Sequence, residues 1–420
     1  MIETIRNAWR IPELRRKILF TIFILLIYRL GNAIPVPFIN VDALGQAFAS
    51  LQDTVLGMVN LMSGGAFSRG TIFALSIQPY INASIIMNLL TVGIPALERM
   101  QKEGGEDGKK KIAAITRYAT VGLGLLMGYG FYTILRSAGA LADASFWIGA
   151  IIVITFTAGS AFIMWLGEQV TEFGIGNGIS IILFASIVSR GPSMIQTGAD
   201  MLKDGQWWQI LVVLALAVVV VAFVVFITQA ERRIPMQYAK RVVGRKVYGG
   251  QSTHLPLKVN MSGVMPIIFA QSIASFPATI AAFIPGAGDS VEKIFGPNTW
   301  AYAGVYLLLI IGFSYFYQAI QFNPVEIANN LKQNGGFIPG FRPGKPTSDF
   351  IKKVLGKITL FGALFLGVIA VLPIVMHNVV EISGLALGGT SVLIVVGVAL
   401  ETVKAIEAQM LMRRYKGFLE

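Results

Sequence analysis

The chain has no cysteine among its 420 residues, only two histidines, and just 13% charged residues. Without cysteine, disulfides and thiolate metal sites are excluded, and the redox compartment leaves no trace in the sequence. No cofactor is expected. Soluble domains carry about 25% charged residues, so charge this sparse argues against a surface that meets water all round. Ion-coupled transporters and proton pumps usually place ionisable groups inside the membrane. Here Arg29, Arg136, Arg190 and His377 stand near one set of span ends and Glu401 near the other. The apolar stretches hold no carboxylate pair, no histidine cluster and no Ser, His and Asp set able to meet. The chain is therefore not expected to be an enzyme.

What the chain has instead is apolar length, with 55% hydrophobic residues. About 20 apolar residues, rising 1.5 Å each, cross a ~30 Å hydrocarbon core. Ten stretches qualify: 18–36, 71–95, 115–137, 145–167, 177–197, 207–230, 261–285, 300–323, 356–378 and 383–403. Backbone groups in lipid must be satisfied internally, which makes these spans α-helices in one bundle. The fold expected is an all-α polytopic membrane protein. All but six of the 34 Lys and Arg fall in segments on one side; the six are Arg29, Arg69, Arg136, Arg190, Lys203 and Lys293. That bias puts both termini in the cytoplasm. Residues 2–16 suit either an interfacial helix or simple positive flanking, and they do not form a cleavable signal.

Two cytoplasmic loops, 231–258 and 323–357, exceed a tight connection and mix basic residues with Gly and Pro. They read as ordered arms that dock a partner, against the plainer reading of linkers held inside by charge. On the other side, Thr54–Arg69 (TVLGMVNLMSGGAFSR) is apolar but too short to cross. Val55–Met62 reads as a half-helix folding back into the bundle, with a break at Gly64–Gly65. Such a re-entrant segment needs a cavity around it; the alternative is a helix lying on the outer surface. Ten spans divide as five plus five, 1–205 and 206–420, and with an odd number per half a second half resembling the first would be inverted, although no residue-level repeat is evident. In the second span, Gln78, Asn82, Ser84 and Asn88 should face other helices or a pore, and Pro79 predicts a kink.

Several stretches resemble the SecY family of protein-conducting channel subunits, which includes the Sec61 alpha subunits. They are SGGAFSR, IQPYINASII, WLGEQVTEFGIGNGISI, YAKRVVGRKVYGGQSTHLPLKVNMSGVMPIIF, NPVEIANNLKQNGGFIPGFRPG and GGTSVLIVV, in order along essentially the whole chain. The resemblance implies ten transmembrane helices in two inverted five-helix halves around a central hourglass pore, with a short re-entrant plug helix. It implies a pore ring of Ile77, Ile81, Ile179, Leu183, Ile268 and Ile394, with Leu183 standing where relatives often have Ile. A dry aliphatic waist blocks ions by dewetting yet parts around a peptide.

The plug maps to about residues 54–69, with Val55, Leu56, Met58, Val59, Leu61, Met62, Ser63, Gly64 and Gly65 forming its body. Spans two and seven become the sides of a lateral gate that releases apolar segments into lipid, with Asn82, Asn88 and Asn260 as polar contacts across it. Arg241, Arg245, Lys246 and Arg342 match the family's docking positions for the ribosome and the motor ATPase SecA. The small subunits SecE and SecG, signal sequences, nascent or precursor polypeptides and membrane lipid complete the implied partners. The implied setting is the bacterial cytoplasmic membrane. A small-solute transporter and a structural scaffold are the competing classes; a scaffold leaves the re-entrant segment unaccounted for.

Overall fold

Each of the ten apolar stretches contributes a helix, and caps and prolines set where those helices begin. The computed structural model describes residues 2–416 except 50–54, 142–144, 204, 206, 239–240, 244–245, 249–251, 262, 283–290, 292–295, 297–298 and 381–388. In chain order the first elements are α1 (Ile2–Trp9), α2 (Pro12–Gly31), α3 (Val41–Ala49), α4 (Val55–Met62), α5 (Gln78–Gly93) and α6 (Pro95–Lys102). Next come α7 (Gly105–Ser137), α8 (Phe146–Phe173), α9 (Gly178–Val188), α10 (Gly191–Lys203) and α11 (Trp207–Gln229). Then follow β1 (Glu231–Tyr238), β2 (Arg241–Val243), β3 (Lys246–Tyr248), β4 (Ser252–Lys258) and α12 (Met265–Ala282). The chain finishes with α13 (Trp300–Gln321), α14 (Pro324–Gln333), β5 (Gly336–Phe337), α15 (Lys345–Val380) and α16 (Gly389–Lys416).

Asn177, Thr299 and Asn323 cap α9, α13 and α14 by accepting backbone N–H bonds through their side chains, a role suited to short polar residues. The ten predicted spans correspond to α2, α5, α7, α8, α9, α11, α12, α13, α15 and α16. Among the described residues, five helices are long and apolar enough to cross a bilayer unaided, and the bent pair α5–α6 brings the number to six. The others are shorter or carry charge. On α11, Leu211, Leu214, Val218, Val219 and Phe226 are all exposed, an apolar outer surface that belongs in lipid.

Two expectations need correcting. Pro79 does not kink the second span: residues 71–77 form turns, and Pro79 occupies the first turn of α5. Its missing N–H is harmless there, because first-turn donors have no helical partner anyway. The sharp bend comes later, 104° between α5 and α6, where Pro95 starts a new helix. The fifth span is also shorter than 177–197. α9 stops at Val188 and α10 starts at Gly191. Eleven residues rise only about 16 Å, too short to cross a ~30 Å hydrocarbon core alone.

Helices α2, α5, α7, α8 and α9 pack among themselves, as do α11, α12, α13, α15 and α16. The two groups meet along α5 with α12 and along α9 with α16. Glu168 and Glu172 lie within α8. Glu168 pairs there with Arg117 of α7 at 2.9 Å.

At one end the two long loops fuse. β1 pairs antiparallel with β4, from Glu231 opposite Lys258 to Gln237 opposite Ser252, and β5 joins the other edge of β1 through Gln237–Phe337 and Tyr238–Gly336. Beneath this three-stranded sheet, Ile234, Met236, Leu257, Leu331, Ile338, Ile351 and Leu355 form one apolar cluster. The arms share a rooted base.

Candidate functional site

Four helices converge where the two groups meet, and the predicted ring residues lie on them. Ile77 immediately precedes α5 and Ile81 follows one turn later; Ile179 and Leu183 stand one turn apart on α9. α12 supplies Ile268 and α16 supplies Ile394. Five of the six are buried in one continuous cluster, and Ile179, partly buried, packs against it. Local backbone features aim them there. Ser76 adopts a left-handed φ of 51°, which is uncommon for a residue with a side chain. Its carbonyl accepts a hydrogen bond from Ser160 Oγ at 3.0 Å. At the start of α9, Gly178 is required by space, since a Cβ there would collide with the Gly167 carbonyl of α8.

The half-helix α4 spans the predicted Val55–Met62 and packs against α9 and α12. Its side chains serve two different cores. Leu56 and Val59 belong to a cluster with Phe67, Phe131 and Phe156. Met62 belongs instead to the cluster containing the ring residues. Its sulfur accepts from Gln78 Nε2 of α5 at 3.5 Å and from Gln271 Nε2 of α12 at 3.7 Å. One thioether therefore touches both helices of the seam.

The loop behind α4 is tied down as well. Ser63 Oγ donates to the Asn60 carbonyl and accepts from Phe67 N–H, while Asn60 Oδ1 accepts from Ser68 N–H. Phe67 stacks on Phe131 at 4.0 Å between ring centroids and meets Phe48 edge-on. Gly64 (φ 68°) and Gly65 (φ 85°) make the left-handed turn. A side chain on Gly64 would also press on Ser186 and Ser189 of the α9 end. Val55, Met58 and Leu61 lie in α4, with side chains outside the described set.

The three predicted seam asparagines separate. Asn88 faces the hydroxyl of Tyr317 on α13, so the polar approach it makes between the first helix group and the second runs to α13 rather than α12. Asn82 donates to Met127 Sδ of α7 at 3.8 Å, a contact within the first group. Asn260 sits in the bend between β4 and α12, half-buried, and no hydrogen bond joins it to Asn82 or Asn88 among the described residues. The sequence reading singled out neither Gln271 nor Tyr317. A lone amide or phenol in an apolar span was the only signal available.

On the arms, Arg241 and Lys246 lie in the small β2–β3 ladder, with Arg241 opposite Tyr248 and Val243 opposite Lys246. Arg245 lies outside the described residues. Arg342 is exposed at the tip that leads into α15, and its carbonyl accepts from Thr347 Oγ1 at 2.8 Å.

Comparison with known proteins adds lineage to this geometry. The SecY family model matches residues 71–403. The protein translocase subunit SecY of Streptomyces scabiei is 45% identical over 439 residues, covering 100% of both chains. One solved structure similar in fold concerns the SecY plug domain, described as stabilising the closed translocation channel and maintaining a membrane seal. It has a TM-score of 0.66 at 19% identity, over 94% of this chain and 92% of that one. Sec61 in the canine ribosome–channel complex of the endoplasmic reticulum gives 0.64 at 18% identity, over the same shares. With a family match across most of its length and a full-length relative at this identity, the chain belongs to the SecY family.

Proposed function

We propose that the buried cluster at the meeting of α5, α9, α12 and α16 is the closed waist of a polypeptide path, with α4 as its plug. As a SecY family member the chain is a protein-conducting channel subunit of a translocase, and it is not itself an enzyme. The observation that carries the finer reading is Met62, which packs among the ring residues and contacts both seam helices. Ile77, Ile81, Ile179, Leu183, Ile268 and Ile394 then form the ring, and the halves 1–205 and 206–420 move against one another.

The α5–α12 seam acts as a lateral gate. A signal or membrane span that reaches it leaves water for lipid at roughly 25 cal/mol per Å² of apolar surface. The charge bias puts the β-sheet end and both termini in the cytoplasm of a bacterium. Arg241, Arg245, Lys246 and Arg342 there suit both the phosphates of ribosomal RNA and the acidic surface of a motor. The relative bound to a ribosome supports the first partner. SecA, SecE and SecG are expected as motor and small subunits.

The test places a single cysteine at Ile268 in the complete translocase, which the cysteine-free chain permits. A stalled precursor carrying one cysteine should cross-link there only with motor, ATP and a functional signal sequence. Confirmed translocation without that cross-link would displace the ring from Ile268. Absence of translocation with competent partners would favour a solute transporter.

A further inference from the structure

A cavity at the C-terminal end of α2 lies apart from the waist and from the arms, and the channel reading leaves it without a role. Its volume is about 240 Å³, below the ~300–1,000 Å³ of sites for drug-sized ligands. Two parts of the chain wall it. The last turns of α2 and the residue after it give Leu26, Arg29, Leu30 and Asn32; the loop behind α4 gives Gly64, Gly65 and Arg69.

Three features of this wall point to one ligand chemistry. Arg29 and Arg69 bring two guanidinium groups to the cavity, and among the described residues no acidic side chain lines it. Guanidinium forks match phosphate oxygens in pairs. Asn32 is only 5% exposed, yet neither Oδ1 nor Nδ2 has a hydrogen-bond partner among the described residues. Native structures rarely leave a buried amide unsatisfied on both atoms. Leu26 and Leu30, in contrast, are among the most exposed apolar residues of α2, so the cavity rim continues into a surface that faces hydrocarbon. Arg29 and Arg69 are exposed at the rim, and a water molecule would satisfy the amide without engaging the paired guanidinium groups. An anion with a hydrocarbon attachment satisfies all three features.

We infer that this cavity binds a phosphate group, and that the phosphodiester of a phospholipid in the adjoining leaflet is the form in which it arrives. Arg29 and Arg69 hold the phosphate oxygens. The Asn32 amide donates to the same group or accepts from a headgroup hydroxyl, and an acyl chain lies along Leu26 and Leu30. Because Arg69 follows the plug loop and Arg29 belongs to α2, the bound phosphate ties that loop to a helix of the first group. The ligand thereby favours the seated plug. Binding at this site stands or falls separately from the waist assignment, whereas its effect on the plug rests on the proposed channel reading.

The test uses the complete complex of the chain with its small subunits, stripped of lipid in neutral detergent and titrated with dioleoylphosphatidylglycerol. Native mass spectrometry counts the lipids retained. The double variant Arg29→Gln/Arg69→Gln should retain one lipid fewer, with that site weakened about tenfold or more. Asn32→Leu provides a second test. It removes a buried unpartnered amide, so it should melt no lower than wild type without lipid, yet lose the lipid-induced rise in melting temperature. Inorganic phosphate added in competition assigns the source: displacement of the bound lipid means that free phosphate also occupies the site, and retention means that the lipid alone does. Equal lipid counts and affinities in wild type and both variants, with no stabilisation by either probe, would overturn the assignment.

Discussion

The sulfur of Met62 lies 3.5 Å from the amide nitrogen of Gln78, joining the end of the plug helix to the first turn of the seam helix α5. Gln271 of α12 reaches the same sulfur from the other side. Met62→Leu keeps the volume but removes the acceptor, leaving two buried amides unpaired in the closed state. A buried unsatisfied donor costs about 1–3 kcal/mol, so the resting channel should open about tenfold more often. Single-channel conductance in planar bilayers measures this; an unchanged open probability would mean that the sulfur contacts contribute nothing to closure.

Asn88 and Tyr317 face each other between the two helix groups, whereas Asn82 contacts Met127 inside one group. Asn88→Leu should therefore lower the hydrophobicity a signal sequence needs, and Asn82→Leu should alter it little. A double-mutant cycle on signal threshold should give about 1 kcal/mol of coupling between Asn88 and Tyr317. Coupling between Asn82 and Tyr317 should be near zero.

Ile81 is buried within the cluster proposed as the waist. Ile81→Gly combined with deletion of the plug helix should produce steady ion flux through purified, reconstituted complex, since an apolar constriction holds ions back only while it stays narrow and dry. A solute transporter so altered would lose transport without opening a through-path. Liposome ion-efflux assays distinguish the two outcomes.

Phe67 anchors the plug loop between Phe48 and Phe131. Phe67→Ala should cost about 3–5 kcal/mol of stability, as expected for removing a buried aromatic ring. Thermal melting of the detergent-solubilised complex checks this. A drop no larger than that of a surface substitution would show that the loop is not held by its ring.

Arg342 is exposed, so Arg342→Glu should change stability by less than about 0.5 kcal/mol while strongly impairing motor-driven export. Normal export rates for that variant would remove Arg342 from the docking surface.

The re-entrant helix was legible because Val55–Met62 is apolar, too short to cross and followed by Gly64–Gly65. The late start of α5 was not. Residues 71–77 are as apolar as helix, and only the left-handed Ser76 backbone separates turns from span. The parting of Asn82 and Asn88 was readable in principle. Six residues at about 100° each turn the second side chain some 240° from the first, so the two cannot share a face. Which partner each meets depends on packing between distant helices, as does the pairing of Tyr238 with Gly336, almost a hundred positions away. No local pattern encodes such meetings.

That last pairing has a mechanical consequence. β1 leaves α11, β4 enters α12, and β5 sits between α14 and α15, so both arms are rooted in helices of one half. A load applied at either arm is shared through the sheet and its apolar base and enters that helix group first. A partner that gripped the arms would hold one helix group directly and would reach the other, which carries α4 and α9, through the contacts of α5 with α12 and of α9 with α16.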